Sequence, residues 1–344
     1  MSPSDPPLDP TVTANECRQY FERLREVLGQ GLILPARLVE QALIGLVGSG
    51  HLLFEGHPGQ GKHSLAAAMA RLSGLSFTSL SCTPDMTPIE MTGAEELRED
   101  PETQRRRYQF VSGPLFANVA YLGDIHQAPS KCLAMLVDSM RRRQVGHGQS
   151  ARDLPTPFSL VATAPPASED SEWMLAESVT DWFLLKLAFK YPGEQDEWEI
   201  GRQARVAHDW TTEPLVSPER LLAFQRAAVN LEMPDNVLGY AWALARATRP
   251  GNELAPDFVE TWLRLGISPQ GLIALISAAK ARALLRGRTS CTRRDVYEVA
   301  PPVFEHRLRC NDEARAAGLT IDRLIGMLVE RISMDEEYRP EPDL

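Results

Sequence analysis

Residues 52–63 read Leu52-Leu53-Phe54-Glu55-Gly56-His57-Pro58-Gly59-Gln60-Gly61-Lys62-His63, and an alanine-rich run follows them. An apolar strand, a loop spaced G-x-x-x-x-G-K and then a helix is the context in which such a loop binds phosphate. The glycines let consecutive backbone N–H groups turn inward. Lys62 adds a positive charge, and the N-terminus of the helix adds its dipole. Gly56, His57, Pro58, Gly59, Gln60, Gly61, Lys62, His63 and Ser64 are therefore the candidate cradle for the phosphates of a nucleotide. The last position departs from the pattern. A loop that works with Mg²⁺ ends in Ser or Thr, whose hydroxyl ligates the ion, whereas here it ends in His63. An imidazole is a poor ligand for so hard a cation. Ser64 offers a hydroxyl one residue late, where the helix has turned it by about 100°.

The chain has 344 residues, enough for two domains with substantial cores, and its 43% hydrophobic and 24% charged residues are ordinary for a globular protein. A net charge of -10 argues against nucleic acid as the main partner. Cys17, Cys82, Cys132, Cys291 and Cys310 lie far apart without a C-x-x-C pair. That pattern fits buried thiols in a reducing cytoplasm better than a disulfide framework or a zinc site. His57 and His63 likewise lack convergent Cys/His spacing. No basic-then-apolar leader is present, and no apolar run approaches the roughly 20 residues that span a bilayer, so a cytoplasmic protein is expected.

Residues 1–15 read as a flexible leader, rich in Pro, Ser and Asp near the start. Apolar residues recur at helical spacing over 16–28 and 37–47. Beyond the phosphate loop, strands are expected at 77–80, 119–122, 158–163 and 184–187, with a polar stretch over 83–107 and a helix opened by Pro129. Alternation of strands and helices implies a mostly parallel α/β sheet. After Tyr191-Pro192-Gly193 the pattern changes. Helical periodicity dominates 194–206, 218–229, 234–247, 256–265, 271–286 and 322–332, with no strand among them. The expected division is an α/β nucleotide-binding core over 16–192 and an all-α region over 193–344.

One series of segments is more specific. Gly50-His51-Leu52-Leu53-Phe54-Glu55-Gly56, Thr83-Pro84-Asp85, Met91-Thr92-Gly93 and Ser112-Gly113-Pro114-Leu115-Phe116-Ala117-Asn118 come first. Ala128-Pro129-Ser130-Lys131, Leu154-Pro155-Thr156-Pro157-Phe158, Asp181-Trp182-Phe183-Leu184-Leu185-Lys186, Ser268-Pro269 and the stretch from Pro301 to Leu308 follow. In this order they resemble the MoxR family of AAA+ ATPases. The resemblance implies an AAA+ P-loop core with a parallel five-stranded sheet in the order 5-1-4-3-2, followed by a helical lid. It also implies ATP or ADP bound between subunits, usually in a ring of six. A chaperone-like role is implied, often beside a von Willebrand factor A domain protein.

The departures from the family pattern fall where its chemistry lies. The acid pair at the end of the third strand matches Gly123 and Asp124, so only the acid that polarises the attacking water has a counterpart. The polar sensor on the fourth strand matches Pro165, the arginine finger Trp182 and the lid arginine Gln270. The Gly-Gln near the adenine matches Leu34 and Pro35. An arginine finger alone is worth about 10³–10⁵ in rate. These losses together imply a regulatory or scaffold subunit that binds ATP or ADP and hydrolyses it poorly, by itself or in a mixed ring with an active relative. The alternative is an active ATPase with substitutes: Ser64 and Asp124 as Mg²⁺ ligands, Asp124 on water, and Arg307 reaching a phosphate, although a lid salt bridge is open to Arg307 equally.

Overall fold

The structure, a computed structural model, describes residues 10–99, 106–146, 148–166, 175–203 and 213–333. Five strands form the main sheet: β1 (His51–Glu55), β2 (Phe77–Ser81), β3 (Val119–Gly123), β4 (Ser159–Ala164) and β5 (Phe183–Ala188). Their spatial order is β5-β1-β4-β3-β2, the order that the family resemblance implied. The ladders run parallel, with Phe77 opposite Val119 and Val119 opposite Ser159. Every residue of β3 and β4 is buried, which is why both read as continuous apolar or small-residue runs. β2 is an edge strand, and its Thr and Ser residues are half-buried or exposed.

Asn118 pins the entry to three strands. Its Oδ1 accepts from the Ser76 N–H and hydroxyl at 3.1 and 2.8 Å, and its Nδ2 donates to the Pro157 carbonyl at 2.7 Å. Because a one-residue slip would turn every side chain to the opposite face, this one carboxamide fixes register across β2, β3 and β4.

The polar stretch after β2 is not simply loop. Gly93–Glu99 pairs antiparallel with Arg106–Ser112, an element hidden in the sequence because its charged residues give no apolar alternation. At its base two backbones nearly touch. A Cβ on Gly93 (φ 82) would lie 2.0 Å from the Val111 oxygen, and one on Gly113 would lie 2.4 Å from the Gly93 nitrogen. That close approach explains both glycines of the Thr92-Gly93 and Ser112-Gly113 segments.

The chain divides into two compact units, one of Leu53–Trp182 with Ala188–Pro218, the other of Met1–Leu52, Phe183–Leu187 and Glu219–Leu344. The first extends to Pro218 because the Leu215 N–H donates to the Leu72 carbonyl at 2.7 Å and Val216 and Pro218 pack on Gly74. The helix Glu194–Gln203 belongs to it. The expected helix end at 206 lies outside the described residues.

In the second unit the first helix runs Pro10–Gly31, so the last six residues of the expected leader are helical. Ala14 and Cys17 are fully buried in line with Phe21, Leu24 and Leu28. Their small side chains carry the buried stripe one turn further than the large residues reveal. The helices Ala36–Val47, Pro218–Asn230, Asp235–Ala247, Pro269–Leu285 and Ile321–Ser333 follow the periodicity. One expectation is corrected here. The 256–265 helix stops at Trp262, and Leu263–Leu265 turns extended and pairs with Arg309–Cys310, so this region is not purely α-helical. A further helix, Arg293–Phe304, carries Pro301 and Pro302 near its end, where prolines argue against a helix on sequence grounds. Its capping box is anchored by fully buried Asp295, which accepts from the Thr292 N–H at 2.9 Å, from Arg282 at 2.7 Å and from both Arg288 nitrogens at 2.6 Å.

Candidate functional site

The loop between β1 and the helix Lys62–Leu72 has the backbone of a phosphate cradle. Gly59 and Gly61 take left-handed conformations at φ 83 and 81, which non-glycine residues adopt at a cost. Gly61 stands at the N-cap, where no side-chain hydrogen bond caps the first amides of the helix. A Cβ built on Gly59 meets nothing within 4 Å, whereas one on Gly56 would strike the Gln60 side chain at 2.4 Å and Phe189 at 2.7 Å. Lys62 bends back over its own loop, donating to the Gly56 and His57 carbonyls at 2.6 and 2.5 Å. Burial lowers its pKa from the ordinary value and the nearby Asp124 carboxylate opposes that shift. These residues suit a di- or triphosphate: a glycine-rich turn, a helix N-terminus and one ammonium lie together in the loop.

They do not fit Mg²⁺. His63 is exposed, and its ring stands edge-on to Tyr121 and Phe77, with centroids 5.0 and 5.4 Å apart. The imidazole thus stands beside two aromatic rings where a ligating hydroxyl is required. Ser64 lies half-buried one position further along the helix. Gly123, in the position of the first acid, is a buried residue of β3 paired with Ser81. Among the described residues no group of three or more His, Cys, Asp or Glu side chains converges to hold a metal ion.

Asp124 leaves the strand in a left-handed turn (φ 53, ψ 47), and its N–H donates to the Thr163 hydroxyl at 3.0 Å. Its charge reaches several neighbours: it raises Tyr121, whose pKa is pushed up mainly by burial, and opposes the burial that lowers His126. Asp124 and Lys62 are thus within electrostatic reach of each other. Pro165 follows β4 directly, and half-buried Trp182 precedes β5.

Arg307 lies in the other unit and is buried there. Its Nη1 donates to the Val303 and Leu184 carbonyls at 2.6 and 3.3 Å, and its Nη2 donates to Phe183 at 2.7 Å. Its neighbour Glu305 holds Lys186 in a salt bridge at 2.7 Å. Gln270 occupies the first turn of the helix Pro269–Leu285, capped by the Ser268 hydroxyl.

Three residues near the loop escaped the sequence reading. Thr163 bonds Asp124, Tyr121 carries His63, and Tyr191 stacks on His57 with centroids 5.3 Å apart and planes at 22°. Tyr191-Pro192 marked a boundary in the sequence, and nothing in its spacing linked it to a residue 134 positions earlier, as the numbering gives (191 − 57).

Comparison with known proteins agrees with this architecture. The profile of the ATPase family associated with various cellular activities (AAA) matches residues 51–185, and that of the AAA lid domain matches residues 258–325. Chaperone MoxR1 of Mycobacterium tuberculosis is 31% identical over 319 residues, covering 93% of this chain and 82% of the relative. Protein MoxR of Paracoccus denitrificans is 27% identical over 301 residues, covering 82% and 85%. A crystallographically solved protein from Cytophaga hutchinsonii shares the fold at a TM-score of 0.83, with 24% identity over 93% of this chain and 96% of that one. The fold and loop define an AAA-type nucleotide-binding protein. The chain belongs to the MoxR family of AAA+ ATPases.

Proposed function

We propose that this chain is a chaperone-like MoxR-family subunit that binds ATP or ADP in its phosphate loop and hydrolyses it poorly or not at all. In this reading it is a pseudoenzyme that regulates or scaffolds an assembly, as a ring of its own copies or in a mixed ring with an active MoxR-like subunit. A von Willebrand factor A domain protein is the expected partner class. The name of the mycobacterial relative supports the chaperone-like part.

The observation that carries the reading is the pair His63 and Gly123. The loop keeps its glycines and Lys62, yet the hydroxyl position holds an imidazole beside Tyr121 and Phe77, and the first acid position holds no side chain. Pro165 and Trp182 remove two further polar groups. Phosphoryl transfer relies on positioning and charge stabilisation, so a frame stripped of those groups keeps affinity and loses rate. The competing reading, turnover through Ser64, Asp124 and Arg307, is weakened by the commitment of Arg307 to buried carbonyls. Equilibrium binding of ATP and ADP to wild type and Lys62→Ala, with turnover measured on the same samples, tests it. Binding that depends on Lys62 without turnover is the expected result.

A further inference from the structure

We infer that this phosphate loop binds its nucleotide without any gain from a divalent cation, and that His63 and Gly123 are the two positions that set this indifference. The inference rests on the nucleotide-binding reading above and concerns the form of the ligand.

Mg²⁺ demands near-ideal octahedral coordination by oxygens at about 2.0–2.1 Å and gives up its waters reluctantly. A loop that gains affinity from the ion must therefore present oxygens at the right places. Neither position does so. His63 packs beside Phe77 and Tyr121, and a nitrogen ligand is ill matched to this ion. Gly123 is a strand residue whose neighbour, Asp124, is one position further on. Side chains alternate across a strand, and Asp124 also turns into the left-handed region with its N–H on Thr163. Its carboxylate thus stands in for the second acid and does not move into the place of the first.

The charge that a metal would neutralise falls to the chain itself. Lys62 lies within the loop, the amides around Gly59 and Gly61 are uncapped, and the helix Lys62–Leu72 directs its N-terminus there. These donors gain nothing from a cation on the phosphate. The site therefore has no means of preferring the Mg²⁺ complex.

Both positions admit the missing groups. His63 is exposed. A Cβ on Gly123 would lie 3.3 Å from the Ser81 hydroxyl oxygen and 3.6 Å from its Cα, a crowding that rotation of the hydroxyl relieves. ATP is titrated into the full chain in EDTA and again in excess Mg²⁺. Wild type is expected to bind with dissociation constants equal within about twofold, and tightening by Mg²⁺ of about tenfold or more would overturn the inference while leaving nucleotide binding intact. Absence of binding in both buffers would overturn the nucleotide-binding reading itself. The double variant His63→Thr, Gly123→Asp is expected to bind about tenfold tighter with Mg²⁺ than with EDTA. The single variant His63→Thr, at an exposed position, is expected to show a smaller gain of about threefold should the double variant not fold. A folded variant that stays indifferent to Mg²⁺ would overturn the assignment of these two positions.

Discussion

The ammonium of Lys62 lies 2.6 Å from the carbonyl oxygen of Gly56, the residue that opens the same loop. The lysine thus caps the loop it serves, and a bound phosphate has to draw the ammonium away from that carbonyl and from His57. Charged hydrogen bonds of this kind contribute about 1.5–3 kcal/mol. Lys62→Ala is therefore expected to weaken ATP binding about ten- to a hundredfold and, with both loop hydrogen bonds gone, to lower the thermal midpoint. Calorimetric titration checks the first part and differential scanning calorimetry the second. Unchanged affinity would remove the loop from the site.

Arg307 follows a family pattern that suggested contact with a phosphate, yet its guanidinium serves main-chain carbonyls of Val303, Leu184 and Phe183. A planar fork makes these bonds, and a single ammonium cannot reproduce them. Arg307→Lys and Arg307→Ala are both expected to cost about 2 kcal/mol or more in denaturant unfolding. A catalytic role would appear instead as lost turnover at unchanged stability.

His306 supplies a pH dependence. Its ring is buried, with Nε2 2.9 Å from the Phe183 oxygen and 2.8 Å from Arg307 Nη1. Burial first, and then the Arg307 cation, hold its pKa well below the ordinary 6.5. The folded protein keeps the imidazole neutral, whereas the unfolded chain takes up a proton near pH 6.5. Unfolded molecules then bind more protons, so stability is full above that pH and falls as pH drops below it, with a slope approaching about 1.4 kcal/mol per unit. Urea midpoints between pH 8 and 5.5 check this. His306→Gln is expected to flatten the decline, and parallel profiles for the two proteins would contradict it.

At the base of the Gly93–Ser112 hairpin there is no room for a methyl group. A Cβ on Gly113 would meet the Gly93 nitrogen at 2.4 Å and the Met91 oxygen at 2.5 Å, both backbone atoms that cannot swing aside. Gly113→Ala is expected to destabilise the protein by more than about 2 kcal/mol, read as an urea midpoint shift at constant slope. A substitution within about 0.5 kcal/mol of wild type would show that the two backbones separate freely.

Much of this molecule was legible because its signals are local. The loop needs one strand, three glycines and a lysine in sequence, and buried β3 and β4 announce themselves as apolar runs. The edge strand β2 was caught through Phe77 and Leu80 despite its polar middle. What stayed hidden depends on partners far along the chain. The Gly93–Ser112 hairpin is held by backbone pairing between charged residues, and the helix Arg293–Phe304 is held by Asp295 with two arginines despite its prolines. The site divides in the same way. His63 and Gly123 were recognisable as departures from a pattern, but the ring packing on Tyr121 and Phe77 and the Thr163 bond to Asp124 come from strands brought together only by the fold.

Steady-state ATP hydrolysis by the purified protein in Mg²⁺ bears most directly on the claim that the frame binds fuel without burning it. Release of phosphate no faster than that of Lys62→Ala is the expected result. Robust Mg²⁺-dependent turnover in wild type, abolished in Lys62→Ala, would contradict it.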